Sequence, residues 1–258
     1  MKKIRGKKGQ VTIFIILAIV IVGLAVLLYT FYPEIRSTFI AELKSPEAFV
    51  QTCLEDEIEA TVDKLSLQGG DLDPEFYYTY KKDNLRYLCY TNEYYKLCTV
   101  QEPMLKEYIE NEIKDAISEK ASECFDDLKK AYQNKGYQVT LNKGGMDVEL
   151  LPKRVVVSFN NSLTLRKDEA SETTPDFRVV LNNNLYELTA IALSIIDFET
   201  SFGDAETTFY MNYYRDLKVE KIKQSEGTTV YILTDLNNNK KFQFASRSMA
   251  WKPGLSWD

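Results

Sequence analysis

The longest run without a charged residue lies near the N-terminus, from Val11 to Tyr32. A helix of these 22 residues reaches roughly 33 Å, and the hydrocarbon core of a bilayer is about 30 Å thick. The pattern therefore predicts a transmembrane helix. Five basic residues precede the run and acids follow it, so we expect a single-pass protein of the cell membrane, with a cytoplasmic N-terminus and an extracellular C-terminal domain.

Two later stretches, 46–68 and 103–136, have apolar residues at spacings of three and four, opposite charged residues. This periodicity predicts two amphipathic helices that pack against each other. Pro46 and Pro103 stand near their starts, and Gly69 and Gly136 at their ends.

From Tyr137 onwards, short runs rich in apolar and β-branched residues are separated by turn signals at 142–145, Pro152 and 160–161. They predict strands at 137–141, 146–151, 154–159 and 162–167 as an antiparallel meander. A largely apolar helix, 182–203, comes next, and strands follow at 217–224, 228–235 and 240–248.

The expected fold class is α+β: an N-terminal transmembrane helix continuing into an amphipathic helical section, then a mainly antiparallel sheet with one or two packed helices. The expected divisions are a basic cytoplasmic leader (1–9), the transmembrane helix (10–32), a helical, disulfide-braced extracellular section (33–136) and an α+β extracellular section (137–258).

The amino-acid composition excludes one class of partner and several kinds of active site. The formal net charge of −6 repels nucleic acid, which we do not expect as a partner. The sequence has no histidine, which excludes Ser-His-Asp and Cys-His catalysis and imidazole metal sites. Since we find no nucleophile elbow, phosphate loop or HExxH, we expect no cofactor and no catalytic residue. A tethered carboxylate hydrolase is a remote alternative.

The four cysteines predict disulfides in an exported domain. Cys53 and Cys124 lie in the two amphipathic helices, and Cys89 and Cys98 flank a short aromatic loop. We therefore favour the pairs Cys53–Cys124 and Cys89–Cys98 among three possible connectivities. A zinc site would need CxxC-like spacing, and gaps of 36, 9 and 26 residues do not supply it.

Aromatic residues crowd the stretch between the two helices. Its tyrosines offer apolar area with a polar tip, and form either a surface for an unknown extracellular partner or a loop packed on its own helices. The candidate contact residues are Tyr77, Tyr78, Tyr80, Tyr90, Tyr94 and Tyr95.

Two weaker motifs remain. Asp71, Asp73 and Glu75 alternate like calcium-loop ligands but lack the glycine and the distal glutamate, so a solvated acidic turn is the favoured interpretation and we expect no metal site. Asn160 heads the triplet Asn160-Asn161-Ser162, an N-glycosylation sequon at a predicted strand end.

The N-terminal residues Lys7-Lys8-Gly9-Gln10 resemble the class III signal peptide of archaeal type IV pilin-like proteins, over about the first 30 residues. The resemblance implies that a prepilin-type peptidase cuts between Gly9 and Gln10 and leaves the apolar helix on the mature chain. Phe14 stands where many members carry a glutamate. The implied partners are the lipid bilayer, that peptidase and other pilin-like subunits.

We therefore expect a membrane-anchored, pilin-like extracellular surface protein with a structural or attachment role. The alternative is a permanently anchored receptor or adhesin-like module that binds through its tyrosines and does not polymerise.

Overall fold

This computed structural model describes residues 45–250, together with residues 18 and 20–22. From Pro46 onwards the chain forms one compact unit. The described helices are α1 (Pro46–Leu67), α2 (Leu105–Asn134), α3 (Leu185–Phe202) and α4 (Thr207–Tyr213). The described strands are β1 (Tyr77–Tyr80), β2 (Asp83–Tyr90), β3 (Thr99–Val100), β4 (Gln138–Asn142), β5 (Met146–Leu151), β6 (Arg154–Phe159), β7 (Ser162–Lys167), β8 (Ala170–Thr174), β9 (Phe177–Asn182), β10 (Leu217–Lys223), β11 (Thr229–Asp235) and β12 (Lys241–Arg247).

The expected fold class is wrong in its transmembrane helix. Within the described part of the chain, none of the helices combines the length and the apolar content that crossing a bilayer requires. The most apolar of them, α3, has 18 residues and includes Glu187, Asp197 and Glu199. The segment 11–32, for which the helix was predicted, lies outside the described residues apart from 18 and 20–22, as does the processing site Gly9–Gln10.

The predicted pair of amphipathic helices is confirmed. Val50, Leu54 and Ile58 of α1 are fully buried, and so are Ile109 and Ile113 of α2. In each helix the residues at spacings of three and four form one apolar stripe, and the two stripes pack against each other. The charged residues remain on the outer sides.

The strands from β4 to β9 form two three-stranded sheets, ordered β4-β7-β8 and β5-β6-β9. β4 continues into β5 through residues 143–145, β6 into β7 through 160–161, and β8 into β9 through 175–176. Each of these pairs forms one long strand that bends at the connecting residues. The predicted meander is confirmed where β5 pairs antiparallel with β6, but its other pairings are wrong, because β4 pairs with β7 instead of β5. Gly144 permits the bend: its N–H donates to Oδ1 of Asn161 at 2.7 Å, and a Cβ on it would lie 2.1 Å from the carbonyl oxygen of Asn160.

The largest sheet joins the two ends of the described chain. Its order is β1-β2-β12-β11-β10, with β3 paired to β2, and β2 runs parallel to β12. The expected succession of a helical section and then a sheet is therefore wrong, because β1, β2 and β3 lie within the section 33–136 and join the large sheet. The stretch interpreted as an aromatic loop contains an antiparallel hairpin, with Tyr78 opposite Leu85.

Helix α3 packs on one face of this sheet. The hydroxyl of Tyr231 in β11 donates a hydrogen bond to Glu199 of α3. Side chains alternate along a strand, so Val230 and Ile232 of β11 point to the opposite face. Glu199 therefore lies on one face of the sheet, and Val230 and Ile232 lie on the other.

Candidate functional site

Two disulfides hold the fold together, in the pairing that the sequence favours. Cys53 of α1 is bonded to Cys124 of α2, and Cys89 of β2 to Cys98, just before β3. The first bond joins two helices 71 residues apart, and the second closes a loop of nine residues. No free cysteine remains in the chain, whose four cysteines all lie in its described part.

The structure separates the six candidate tyrosines into two groups. Tyr78, Tyr80 and Tyr90 are half-buried and pack against a core cluster on the face of the large sheet opposite α3. That cluster consists of Leu85, Tyr87, Val230, Ile232 and Ala245. The other three candidates, Tyr77, Tyr94 and Tyr95, are exposed. The surface and packing interpretations of the tyrosines therefore each describe one half of the set.

We call the rings of Phe76, Tyr78, Tyr80, Tyr87 and Tyr90 the aromatic face. Three of them form a triangle with centroid distances of 4.8 Å for Phe76–Tyr87, 4.6 Å for Phe76–Tyr90 and 5.0 Å for Tyr87–Tyr90. Tyr87 is paired with Ala245, and its hydroxyl meets Oγ1 of Thr228 at 2.8 Å, so its side chain crosses β12. Aromatic packing of this kind stabilises the sheet.

The hydroxyl groups of this face lie near charge. Burial, followed by the negative charge of Glu226, raises the pKa of Tyr78. Burial also raises the pKa of Tyr87. The guanidinium of Arg247 lies 5.6 Å from the ring centroid of Tyr90 and binds the carbonyl oxygens of Glu226 and Thr91. Because these pKa values are raised, Tyr78 and Tyr87 stay neutral over the physiological pH range.

A second site is a groove of about 860 Å³ at the N-terminal end of α3. Three separate segments line it, together with Lys153 of the β5–β6 turn: 182–194 at the start of α3, 210–217 from α4 into β10, and 235–238 in the turn between β11 and β12. We call it the Asn-Tyr groove, after the residues that dominate its wall. They are Asn182, Asn183, Asn184, Tyr186, Tyr210, Tyr213, Tyr214, Asn237 and Asn238.

Hydrogen bonds fix the wall of the groove. Oδ2 of Asp235 accepts from Nδ2 of Asn184 at 2.8 Å, and its Oδ1 accepts from the N–H of Asn237 at 2.8 Å. The N–H of Lys153 donates to Oε1 of Glu187 at 2.9 Å. Helix α3, the β5–β6 turn and the β11–β12 turn are thus held in one arrangement.

Neither a protein-family model nor a curated protein nor a solved structure matches this chain. A functional proposal therefore rests on the geometry and chemistry of the chain's own residues. The resemblance of Lys7-Lys8-Gly9-Gln10 to a class III signal peptide stays a prediction, since these residues lie outside the described part of the chain.

Glu199 is the most enclosed acid of the described chain, with 1% of its surface exposed. Its Oε1 accepts from Tyr231 and from the N–H of Ala205, and its Oε2 accepts from Ser246 at 3.4 Å. Burial raises the pKa of this carboxyl. A group so enclosed does not reach a substrate in this structure; it ties α3 to β11 and β12.

In the acidic turn, Asp73 and Glu75 are exposed as expected, and Asp71 alone departs from the expectation of a solvated segment. Asp71 is buried, its Oδ2 accepts from the hydroxyl of Tyr108 at 2.9 Å and lies 3.7 Å from a guanidinium nitrogen of Arg86. Burial, followed by the hydrogen bond to Asp71, raises the pKa of Tyr108. Across the described residues, no cluster of three or more potential ligands is arranged to hold a metal ion.

Asn160 is exposed at the bend between β6 and β7. Its backbone N–H donates to the carbonyl oxygen of Gly145 at 2.9 Å, which holds the main chain while the side chain faces solvent. The position is sterically open to a glycan, and glycosylation there stays a prediction.

Sequence reasoning missed the Asn-Tyr groove. The asparagines 182–184 were included only in a predicted helix, 182–203, and no function was assigned to Tyr213 and Tyr214. The density of asparagine and tyrosine in both stretches was the available signal. What brings these stretches together is the tertiary fold, because the β11–β12 turn lies more than 50 positions after Asn182.

Proposed function

We propose that this chain is a pilin-like protein of the cell surface with a structural or attachment role, and that the described residues form its extracellular domain. The observation that supports this most is the pair of disulfides, Cys53–Cys124 and Cys89–Cys98. Disulfides persist outside the reducing cytoplasm. The N-terminal resemblance supports the same location, because class III signals direct export.

The experiment is non-reducing peptide mapping of the protein from its native source, after blocking free thiols. The proposal predicts Cys53–Cys124 and Cys89–Cys98 as linked peptides, with no blocked cysteine. Four blocked cysteines would contradict an extracellular domain.

A receptor or adhesin-like module is the second candidate, and the exposure of Tyr77, Tyr94 and Tyr95 favours it. These side chains are 43%, 65% and 65% exposed, and rigid aromatic side chains of this kind are frequent anchors at protein interfaces. The triple change to Ser removes the anchors without disturbing the core cluster.

Attachment of the wild-type chain and of this triple variant to whole cells tests the second candidate. Loss of attachment with unchanged thermal stability supports the binding module. Unchanged attachment shows that these rings are not its contact surface. As a matched control, Phe209→Ser removes an equally exposed ring from α4.

A further inference from the structure

We propose that the Asn-Tyr groove binds an uncharged oligosaccharide, an inference that rests on the proposed extracellular role and names the ligand class of the attachment site. The volume of about 860 Å³ falls in the range of small-molecule sites, which is about 300 to 1,000 Å³. The groove therefore has room for two or more sugar rings.

The hydrogen-bonding groups of the wall match sugar hydroxyls. A primary amide has an acceptor oxygen and two N–H donors on one side chain, and a hydroxyl also donates and accepts. Asn182, Asn237 and Asn238 are exposed. Oδ1 of Asn238 accepts from the N–H of Lys240 at 2.9 Å, so this residue offers a ligand its Nδ2 group. Several adjacent amides can engage the neighbouring hydroxyls of one sugar ring.

The aromatic rings of the wall supply flat apolar surface. Tyr213 is 74% exposed and Tyr214 47% exposed. Their ring centroids are 4.9 Å apart, at an interplanar angle of 75°. A pyranose ring has C–H groups on its faces, and these pack on a tyrosine ring while its hydroxyls stay at the edge.

The charges of the groove nearly cancel. Two cationic residues, Lys153 and Arg215, line it together with the acids Glu187, Asp216 and Asp235. Asp235 and Glu187 already accept hydrogen bonds from the protein. A wall with this balance does not select a phosphorylated or polycationic ligand, because each would meet repulsion from one set of charges.

A peptide is less suited to this groove. An extended peptide that adds to a sheet uses the main chain of an edge strand. Two edge strands border the groove, and each does so by one terminal residue: Leu217 begins β10 and Asn182 ends β9. Recognition in the groove therefore falls to side chains.

The test uses the full chain and four uncharged probes: cellotetraose, maltotetraose, chitotetraose and mannotetraose. Saturation-transfer NMR and calorimetric titration up to about 5 mM detect Kd values in the millimolar range and below. We expect at least one probe to bind. Because the ligand is uncharged, its Kd should change less than about twofold between low and high salt.

Matched variants on α4 locate the binding. Tyr213→Ala removes a ring from the groove, and we expect the Kd to rise about tenfold, as for an aromatic anchor. Phe209→Ala removes a ring that is 65% exposed on the same helix but does not line the groove, and we expect an unchanged Kd. Asn237→Ala tests the amides and should also weaken binding.

Three results would overturn the proposal: no binding of any probe, binding that Tyr213→Ala leaves unchanged, or selective binding of an uncharged Ser/Asn/Gly peptide. Disulfide mapping separates this from failure of the proposed function. Linked cysteines without sugar binding reject only the groove, and sugar binding by a chain with free thiols rejects only the extracellular location.

Discussion

The hydroxyl of Tyr231 in β11 donates a hydrogen bond to Oε1 of Glu199 in α3, and both side chains are almost completely enclosed. Ser246 of β12 donates to the other carboxyl oxygen. Ser246 Oγ also lies 3.9 Å from Sγ of Cys98, so this polar cluster is adjacent to the Cys89–Cys98 disulfide. A buried polar network of this kind fixes one arrangement of α3 on the sheet.

Stability should fall as the pH rises through the raised pKa of Glu199. The ordinary pKa of this carboxyl, which applies to the unfolded chain, is near 4.5. At pH values between that pKa and the raised one, burial keeps the proton on Glu199 in the folded chain, whereas the unfolded chain has lost it. The folded state then binds more protons than the unfolded state, so the free energy of unfolding is highest below that ordinary pKa and decreases above it.

Glu199→Gln should remove this dependence, because the amide cannot ionise. Urea unfolding at several pH values measures this dependence. The free energy of unfolding of the variant should rise relative to that of the wild type as the pH increases. Asp197→Asn, an exposed change in the same helix, is the control and should leave the slope as it is. Equal slopes for Glu199→Gln and the wild type would contradict the prediction.

The two disulfides should differ in their effect on stability. A cross-link restricts the unfolded chain more when its loop is longer, and these loops span 71 and 9 residues. The chain-entropy relation gives about 4 kcal/mol for the long loop and about 2.5 kcal/mol for the short one.

Denaturant unfolding of the double variants Cys53→Ala/Cys124→Ala and Cys89→Ala/Cys98→Ala compares them directly. Each pair serves as the control for the other, since both remove two half-cystines. A larger loss for the short loop would show that loop entropy does not dominate.

Gly144→Ala should destabilise the chain by about 2 kcal/mol, within the usual range for overpacking. The new Cβ would lie 2.1 Å from the carbonyl oxygen of Asn160, a backbone atom that cannot move without breaking the bend. Gly145→Ala is the matched control, because its nearest neighbour is 4.0 Å away. Thermal unfolding of both variants checks this, and equal melting temperatures would be the contrary result.

The two groups of tyrosines should respond differently to substitution. Tyr78→Ser with Tyr80→Ser removes rings that pack on Leu85 and its neighbours, and we expect a loss of about 2 kcal/mol or more. Changing the exposed Tyr77, Tyr94 and Tyr95 should cost less than about 0.5 kcal/mol each. Chemical denaturation measures both, and a large loss in the second group would place those rings in the core.

Local pattern was enough to predict much of this fold. The stripes of α1 and α2 and the strand-type runs of β5, β6 and β7 each depend on neighbours in sequence, and these elements lie where they were predicted. The favoured cysteine pairing followed from the placement of Cys53 and Cys124 on two packed helices.

Other elements lacked a local signal. The hairpin of β1 and β2 turns at Lys81, which has a φ of 55° although it is not a glycine or asparagine, so the usual turn residues are absent. The parallel pairing of Tyr87 with Ala245 joins positions more than 150 residues apart. Strand β8, with the sequence ASETT, is largely exposed and polar, and has no apolar face to reveal it.

The candidate sites, like the fold, had a local sequence signal only in part. The tyrosines were visible as a cluster, but only the pairing of β1 with β2 decides which rings turn inward. The Asn-Tyr groove depends on three segments that meet only in the folded chain.

The central claim is that this chain is an exported, pilin-like surface protein, and the most direct test is the intact mass of the thiol-blocked protein from its native source, combined with sequencing of its terminal peptide. The account predicts that the chain begins at Gln10 and carries no blocked cysteine. A chain that retains the lysine-rich residues before Gln10 and has four blocked cysteines would contradict it.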